Sequence, residues 1–309
     1  MSNELPSVIC LVGPTGAGKT AAALHLAERF AGTVINADSR QVYRDFPIIT
    51  AQPTAEEQAQ CPHRLYGFLE TEVRMSAGVW GDHATAAIDE ALAQGRLPLL
   101  VGGTGMYVRA LLDGIAAIPA IPRDIHVRWQ ERCASEGPQR LHAMLCDIDA
   151  EYAARIHPND RQRVTRALEV HEHTGRTFSE WHRSAMPAPR YRALRIGFAA
   201  TLDALTPRLA HRIDLMLVAG ALDEARRARV HCDDPSAPGW SGIGCAETYA
   251  HLVGNLDYEA MRHVWLHNTR AYAKRQLTWF RADTRLTWYA PDDVEGIALG
   301  VASFLRGDA

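Results

Sequence analysis

Lysine is almost missing from this sequence, although basic residues are not. Only Lys19 and Lys274 are lysines among the 33 basic residues, and all the others are arginines. Codon bias in a GC-rich genome explains this composition without reference to function. The acidic residues number 36, so the formal net charge is −3, and the overall charge does not by itself indicate a nucleic-acid-binding protein.

Long hydrophobic runs, secretory features and paired cysteines are also absent. The longest apolar stretches, such as Leu97–Val101, fall far short of the about 20 residues that a membrane-spanning helix requires. The N-terminal MSNELPS has neither the basic start nor the apolar core of a secretory signal. The six cysteines are scattered without a Cys-x-x-Cys pair, which argues against a zinc site or a disulfide framework. We therefore expect a cytoplasmic protein that does not bind a membrane.

What is present indicates a globular protein with a substantial core. The chain has 309 residues, of which 47% are hydrophobic and 22% are charged, and this suits one large domain with an insertion, or two domains. The charge is uneven, because residues 121–212 hold 15 arginines against 11 acidic residues. A basic middle in an acidic chain is typical of a protein with a polyanionic partner.

Strands and helices alternate in the first part of the chain. Short apolar runs that end in glycine or polar residues lie at Val8–Val12, at TVINAD (33–38) and at Leu97–Val101, and Ser76 is a candidate helix cap between the last two. A further strand is predicted within MPAPRYRALRIGFAA (186–200). This order predicts an α/β fold, with a P-loop NTPase-like parallel sheet flanked by helices and with ligands at the carboxyl ends of its strands.

A mainly helical insertion domain interrupts this pattern. Two prolines in AAIPAIPRD mark its start, and loops at EGP and HPND break its helices. We place the insertion at residues 121–184, and the core with its C-terminal helices at residues 1–120 and 185–309. In the second part of the core we predict a helix over Leu205–Val230, closed on one side by Gly220, and two more helices between residues 247 and 281.

The most specific chemical motif lies directly after the first strand. The pattern G-x-x-x-x-G-K-[ST] is matched by a loop made of Gly13, Pro14, Thr15, Gly16, Ala17, Gly18, Lys19 and Thr20. In such a loop backbone N–H groups converge on phosphate oxygens, the lysine adds a charge, and the threonine hydroxyl is placed to ligate Mg²⁺. The sequence therefore predicts phosphate binding here, at one of the only two lysines.

Two further strand ends carry candidate functional residues. Asp38 and Ser39 follow the second strand, where Asp38 is either a helix cap or a carboxylate that faces the phosphate loop as a general base. Thr104 follows two glycines in GGTGMY, where it either belongs to a plain strand-to-helix turn or binds a phosphate oxygen. The strand Leu97–Val101 lacks the terminal acidic residue with which an NTPase holds Mg²⁺, and this disfavours a hydrolase.

Arginines cluster further along the chain. Arg163 and Arg166 share a helical face in HPNDRQRVTRALEV, and Arg208 and Arg212 share another in RLAHRIDLML. A solvated helix surface explains the first pair equally well. In NTRAYAKRQLTWFR basic residues are interleaved with aromatic residues, which are better explained as core than as base-stacking platforms.

Together these blocks resemble the tRNA dimethylallyltransferases, also called tRNA isopentenyltransferases, which prenylate adenosine. The resemblance runs from about Val8 to Arg281 and rests on GPTGAGKT, DSRQVY, TAQPT, LVGGTGMY, HPNDRQRVTRALEV with TGRTFS, and NTRAYAKRQLTWFR. The phosphate loop is common to many families, whereas the HPND–RALEV and AKRQLTWFR blocks are specific. The sequence ends at Ala309 without the zinc finger of the eukaryotic relatives, so we expect a bacterial-type member.

The resemblance implies an activity, partners and a cofactor. The donor would be dimethylallyl diphosphate, and the acceptor would be N6 of the adenosine 3′-adjacent to the anticodon in tRNA. The products would be N6-dimethylallyladenosine and diphosphate. The helical insertion would grip the anticodon stem-loop, Mg²⁺ would be the cofactor, and we expect a monomer.

The resemblance also implies roles for individual residues. Asp38, Thr104 and Arg212 would form the catalytic set, with Asp38 taking a hydrogen bond or a proton from the attacking amine. The diphosphate would be held by the phosphate loop and by Arg208, and Thr20 would bind Mg²⁺. The tRNA-binding residues would be Asp38, Ser39, Arg40, Gln41, Gln162, Arg163, Val164, Thr165 and Arg166.

Four positions depart from the family pattern. Gln52 stands where a lysine is usual, and Ser241, Cys245 and Ala246 stand where the family tends to carry Arg, Tyr and Arg. These replacements predict weaker tRNA affinity, or compensation by arginines of the insertion.

Two other functions fit the phosphate loop. One is an adenylate prenyltransferase that acts on free nucleotides and would not need the insertion to bind RNA. The other is a P-loop small-molecule kinase, or a nucleotide-switched binding protein, that uses the loop for ATP.

Overall fold

The computed structural model describes residues 5–184 and 188–308. Residues 1–4, which begin the segment without secretory features, and residues 185–187, where we placed the start of the second part of the core, lie outside the described residues. The chain divides into two compact units: Met1–Leu112 with Pro189–Ala309, here called the core unit, and Asp113–Ala188, here called the helical unit. The sequence placed these boundaries at 120/121 and 184/185.

The core unit is built on a parallel sheet of six strands. The strands are β1 (Ser7–Val12), β2 (Gly32–Asn36), β3 (His63–Arg64), β4 (Leu97–Gly102), β5 (Arg192–Phe198) and β6 (Thr287–Tyr289). Their spatial order is β3-β2-β4-β1-β5-β6, and Ile9 of β1 lies between Leu99 of β4 and Leu194 of β5. Every neighbouring pair runs parallel, which confirms the predicted α/β class.

Fourteen α-helices occur in the described residues. They are α1 (Lys19–Arg29), α2 (Ala55–Gln60), α3 (Ala77–Ala93), α4 (Gly105–Leu112), α5 (Arg123–Glu136), α6 (Pro138–Ile148), α7 (Ala150–Ala153), α8 (Arg161–Thr174), α9 (Phe178–Arg183), α10 (Leu202–Val218), α11 (Ala221–His231), α12 (Cys245–Leu252), α13 (Tyr258–Arg281) and α14 (Val294–Arg306). Of these described helices, none is both long and apolar enough to cross a bilayer.

The sheet is buried on both faces because its central strands are apolar throughout. Ile9 and Leu11 of β1 pack with Leu26 of α1 in one cluster. Cys10 of the same strand packs with Trp80 of α3 in another cluster on the opposite face. Alternate residues of a strand point to opposite faces, so a strand covered by helices on both sides needs an unbroken apolar run.

Several predicted elements are confirmed and one is wrong. Ser76 caps α3, since its side chain accepts a hydrogen bond from the Val79 N–H (3.2 Å). The predicted helix over Leu205–Val230 is instead two helices, because Gly220 has a φ of 98° and ends α10 before α11 begins. A positive φ interrupts a right-handed helix and suits glycine, which has no Cβ.

The helical unit has its own small core. Asp160 caps α8 by accepting a hydrogen bond from the Arg163 N–H (3.0 Å), and Gly137, with a φ of 83°, separates α5 from α6. These features explain the loops predicted at HPND and EGP. The buried cluster includes Trp129, Leu141, Leu145, Val164 and Leu168.

Candidate active site

Three neighbouring strands deliver the candidate residues to one edge of the sheet. The phosphate loop follows β1, Asp38 follows β2, and Thr104 follows β4. The sheet order places β4 between β2 and β1. Because these strands are parallel, their carboxyl ends lie together, so residues far apart in the sequence converge.

The phosphate loop curls around its own lysine. Gly13, Gly16 and Gly18 have φ values of 152°, 79° and 86°, in the region that favours glycine, and Gly18 directly precedes α1. Lys19 Nζ donates hydrogen bonds to the carbonyl oxygens of Gly13 (3.0 Å) and Pro14 (2.7 Å). Burial lowers the pKa of Lys19 to about 8, although the charge of Asp38 acts in the opposite direction.

Asp38 lies in a turn and does not cap a helix. Its N–H donates to Asn36 Oδ1 (2.8 Å), and its own Oδ1 accepts from the Arg40 N–H (2.9 Å). No helix begins until α2 in this part of the described chain, so the helix-cap alternative is wrong. The turn leaves Asp38 in the lining of a cleft.

Thr104 joins two of the strand ends. Its Oγ1 accepts from the Ser39 N–H (2.9 Å) and donates to Ser39 Oγ (3.2 Å). Gly102, which comes before it, lets protein atoms approach closely, because a Cβ there would lie 2.2 Å from the backbone of Ala37. The GGTG segment therefore fixes Ser39 and Asp38 beside β4.

A cleft of about 220 Å³ opens beside these strand ends. Six apolar side chains contribute to its lining: Ile49, Leu209, Ile213, Met216, Ile243 and Trp265. Its polar lining includes Thr15, Asp38, Arg40, Arg212, Tyr272 and Arg275. Three arginines face one carboxylate, so the cleft favours an anionic ligand, and the apolar wall favours a hydrocarbon group on that ligand.

The two arginines predicted on α10 have different environments. Arg212 lines the cleft, and burial lowers its pKa while the charge of Asp38 raises it. Arg208 is exposed and is not part of the cleft lining. The structure thus brings Arg212, but not Arg208, to the cleft with Thr15 and Asp38.

The residues predicted to bind tRNA in the core unit are held by polar contacts. Arg40 lines the cleft, and its Nη1 donates to Ser241 Oγ (2.9 Å) and to the Pro238 carbonyl (3.3 Å). Gln41 Nε2 donates to the carbonyl oxygens of residues 50 (3.0 Å) and 51 (2.6 Å). Arg40 therefore has a fixed direction, and the Gln41 amide is already occupied.

Within the helical unit, the prediction for α8 needs a correction. Gln162, Arg163 and part of Arg166 are accessible, but Val164 and Thr165 are 0% and 1% exposed. Their side chains belong to the packed side of α8, so they are not available to RNA, and the predicted contacts are restricted to the other three. Successive residues of a helix point about 100° apart, which is why a continuous run cannot share one face.

The two arginines of α8 already have acidic neighbours. Arg163 Nη1 lies 2.8 Å from Asp160 Oδ2, and Arg166 Nη1 lies 3.5 Å from Glu169 Oε2. The accessible fractions of the two arginine side chains are 57% and 41%. The Arg163–Asp160 pair is largely exposed and such pairs are weak, so a phosphate group can compete for Arg163, whereas Arg166 is paired with a carboxylate that is only 2% exposed.

The four departures from the family pattern have defined environments. Gln52 Nε2 donates to the Tyr43 carbonyl (2.8 Å), so its side chain closes the loop between these residues. Ser241 orients Arg40, as described above. Cys245 is fully buried, and Ala246 is exposed at the start of α12. Only Ser241 of the four lines the cleft.

Sequence reasoning missed the apolar wall and Gln276. The wall residues come from α10, α13 and two loops, and no single sequence window contains them. Gln276 is 4% exposed and bonds to the phosphate loop, although it is 261 residues away from its partner Thr15. The AKRQLTWFR block contains this glutamine, so the block itself was the available indication.

Metal ligands are sparse in this part of the molecule. Thr20 is exposed in the first turn of α1, where its hydroxyl was predicted to bind Mg²⁺. The described residues contain no group of three or more His, Cys, Asp or Glu side chains that could hold a metal ion.

Comparison with known proteins gives consistent results. A family model described as IPP transferase matches residues 41–283. A curated tRNA dimethylallyltransferase of Nitratidesulfovibrio vulgaris (strain DP4) is 98% identical over the whole of both chains. Another protein of the same name, from the Miyazaki F strain of that species, is 61% identical and covers 97% of this chain and 94% of its own length.

Solved structures are similar along nearly the whole chain. The full-length tRNA isopentenylpyrophosphate transferase of Bacillus halodurans has a TM-score of 0.70 at 36% identity, covering 97% of this chain and 96% of its own. A eukaryotic dimethylallyltransferase described as acting on tRNA has a TM-score of 0.81 at 27% identity, covering 98% of this chain and 80% of its own. The phosphate loop and Asp38 precede the segment matched by the family model, but the full-length relatives span them.

Proposed function

The chain belongs to the IPP transferase family, and on that premise we propose that it transfers a dimethylallyl group from dimethylallyl diphosphate to tRNA. The acceptor is N6 of the adenosine 3′-adjacent to the anticodon. The bond between the prenyl carbon and the diphosphate oxygen breaks, a bond to N6 forms, and N6 loses a proton. The observation that carries this proposal is that a phosphate loop, a carboxylate and an apolar wall border one cleft.

The part of the cleft beside the phosphate loop suits a prenyl diphosphate, which is the substrate that donates the prenyl group. The loop N–H groups, Lys19 and Arg212 supply the positive charge that a departing diphosphate needs, and the apolar wall accepts the hydrocarbon. Preorganised donors of this kind act most strongly on charge that develops in the transition state, and a single one is worth about 3 kcal/mol. This matters here because an adenine amine is a poor nucleophile, so leaving-group departure carries much of the barrier.

Asp38 is the group that receives the acceptor amine. It is the carboxylate in the cleft lining, and the turn from Asn36 to Arg40 fixes its direction. A carboxylate within hydrogen-bond reach orients the amine and takes its proton as the new bond forms. The adenosine must leave its stack to enter the cleft, and this costs less in a loop than in a duplex.

Mg²⁺ fits this site as an ion held mainly by its substrate. Magnesium usually binds through one or two protein groups together with phosphate oxygens and water, so a site without a cluster of acidic ligands is compatible with it. Thr20 would hold it through its hydroxyl at the first turn of α1. When bound, the ion neutralises diphosphate charge.

Both units carry residues that we expect to bind the RNA. In the core unit, Ser39, Arg40 and Gln41 follow Asp38 directly. In the helical unit, Gln162, Arg163 and Arg166 are accessible on α8. RNA loops are read by stacking and by contacts to base edges and phosphates, which suits arginine-rich surfaces around the anticodon stem-loop. We expect the enzyme to act as a monomer, in the cytoplasm where tRNA is found.

Labelled dimethylallyl diphosphate tests the proposal directly. We expect label in unmodified tRNA and none in AMP, and we expect no γ-phosphate transfer when ATP replaces the prenyl donor. Comparable transfer to AMP would show an adenylate prenyltransferase, and phosphate transfer would show a kinase.

Replacing Asp38 tests the assigned base. Asp38→Asn keeps an oxygen for the Arg40 N–H but removes the carboxylate, so we expect transfer to fall by about 100-fold or more while tRNA affinity changes little. The single-turnover rate and the tRNA Kd measure the two effects. An unchanged rate would remove Asp38 from the mechanism.

A further inference from the structure

Gln276 connects the phosphate loop, which follows β1, with the end of β4. It lies on α13 with 4% of its surface exposed. Its Oε1 accepts a hydrogen bond from the Thr15 N–H in the phosphate loop (2.9 Å). Its Nε2 donates to the carbonyl oxygen of Gly103, directly after β4 (3.0 Å). One side chain thus links the phosphate loop to the end of β4, two segments that are far apart in the sequence.

The amide of Gln276 makes both contacts at once. The Thr15 N–H requires an acceptor and the Gly103 carbonyl requires a donor, and a planar amide offers one of each side by side. A carboxylate at this position would meet the carbonyl with a second acceptor, and a hydrocarbon would leave both backbone groups without their partner. A buried backbone group that loses its partner is costly, so this arrangement is strongly specified.

Gly103 is shaped to receive this amide. A Cβ at this position would lie 1.9 Å from Gln276 Nε2, whereas its distance to Asp38 Oδ2 would be 3.4 Å. The φ of Gly103 lies outside the left-handed region, so the backbone itself does not require glycine. The missing side chain is therefore explained by the contact with Gln276, at a point next to the proposed base.

We propose that Gln276 is a positioning residue that ties the phosphate loop to the strand end beside Asp38, an inference that rests on the proposed function. The loop holds the leaving diphosphate, and Asp38 holds the attacking amine. The tether fixes the distance between them. Reacting atoms must approach to about 3–3.5 Å, and a misplacement of about 1 Å can cost 100-fold in rate.

This role predicts a particular pattern of kinetic change. Gln276 contacts backbone groups rather than the cleft interior, because it is not part of the lining. Replacing Gln276 leaves Lys19, Arg212, the apolar wall and Asp38 in the protein. We therefore expect the rate of the chemical step to fall by about 10- to 100-fold, with the Kd of dimethylallyl diphosphate and that of tRNA each within about threefold of wild type.

Two variants break the tether from opposite sides. Gln276→Met keeps a side chain of similar length without either polar contact. Gly103→Ala keeps the glutamine but displaces its amide, and the added methyl group is compatible with the Gly103 backbone. Single-turnover rates at saturating donor and tRNA give the chemical step, and equilibrium binding of each substrate gives the two Kd values. The control is Gln94→Met, an exposed glutamine at the end of α3.

The double variant separates positioning from unrelated damage. If both changes remove the same tether, the combined loss of rate is about that of one single variant, since neighbouring groups that act as a unit are not additive. Losses that multiply, or a wild-type rate in either single variant, would overturn the proposal for Gln276 while leaving the proposed function intact. If Gln276→Met does not fold, as judged by its thermal unfolding, Gly103→Ala decides alone. Absence of prenyl transfer by the wild-type enzyme would overturn both proposals.

Discussion

Lys19 carries its charge in a place that disfavours charge. Its ammonium group donates hydrogen bonds to the loop carbonyls of Gly13 and Pro14, and burial lowers its pKa to about 8. A diphosphate bound in the loop would stabilise the charged form and raise this pKa. Binding above pH 8 must then take up a proton, so the affinity depends on pH.

The affinity for the donor should therefore fall in alkaline solution. We expect the Kd of dimethylallyl diphosphate, measured by calorimetry without tRNA, to be constant below about pH 7 and to weaken above pH 8, by up to about tenfold per unit. Lys19→Arg is the control, because arginine stays charged throughout this range. A wild-type profile that is as flat as that of the arginine variant would contradict the lowered pKa.

At the scale of residues, functional groups within a continuous motif could be predicted from the sequence, and contacts that depend on tertiary packing could not. The phosphate loop is a continuous motif next to a strand, so its glycines and Lys19 were recognisable. Asp38 could be proposed because parallel strands end together. Gln276 could not be assigned, since its partner Thr15 lies 261 residues away and the contact depends on how α13 packs.

At the scale of elements, α11 supports a wall of the cleft through one buried carboxylate. Glu224, which is 2% exposed, accepts hydrogen bonds from the N–H groups of Ile48 (2.7 Å) and Ile49 (2.8 Å), and Ile49 lines the cleft. Burial raises the pKa of Glu224 from 4.5 to about 7, although these two bonds act in the opposite direction. The Glu224 carboxylate thus fixes the loop that contains Ile48 and Ile49, although its own burial disfavours its charged form.

Replacing Glu224 should destabilise the fold in a pH-dependent way. Glu224→Ala leaves two buried N–H groups unpaired, so we expect a loss of about 3 kcal/mol in urea unfolding. Because the folded-state pKa is raised, the proton contributes stability below pH 4.5 that disappears as the pH rises through 7. The stability of Glu224→Gln relative to wild type should therefore increase from pH 5 to pH 8. A stability difference between Glu224→Gln and wild type that does not change with pH would refute the assignment.

Helix α8 offers a second prediction at this scale. If Arg163 and Arg166 bind tRNA phosphates, replacing both with alanine should weaken tRNA binding and reduce the slope of log K against log salt by about 1.4. The control replaces Arg226 and Arg306, which are exposed and paired with nearby aspartates in the core unit. An unaltered slope in the α8 variant would mean that its arginines only face solvent.

Long elements with clear periodicity were predictable, and short or interrupted ones were not. The apolar runs of β1 and β4 indicated buried strands. Strand β3 has two residues and β6 has three, so neither has a periodicity to detect. Gly220 was expected to close the predicted helix on one side, but the apolar pattern continues through it, so the sequence did not separate α10 from α11, which the positive φ of Gly220 divides.

At the scale of the whole molecule, the sequence indicated a parallel sheet with a helical insertion because composition and pattern change at the proline-rich segment. The predicted boundaries at 120/121 and 184/185 lie eight and four residues from those of the compact units, since a linker without periodicity does not define its own end. The apolar wall of the cleft could not be predicted, because its residues come from α10, α13 and two loops. The buried clusters of the core unit and of the helical unit contain no residue in common.

This separation of cores predicts a separation of functions. Replacing Asp113–Ala188 with a flexible linker removes one buried cluster completely and leaves the residues of the other three intact. We expect the shortened protein to bind dimethylallyl diphosphate with a Kd within about threefold of wild type, because the phosphate loop, Arg212 and the apolar wall remain. Binding of tRNA should weaken by at least about tenfold, because the exposed arginines of α8 are lost.

Calorimetry with the donor and filter binding with labelled tRNA measure the two affinities on one preparation. Retained tRNA affinity would exclude the helical unit as a grip for the anticodon stem-loop, and loss of donor binding would mean that the core unit does not hold its phosphate loop alone.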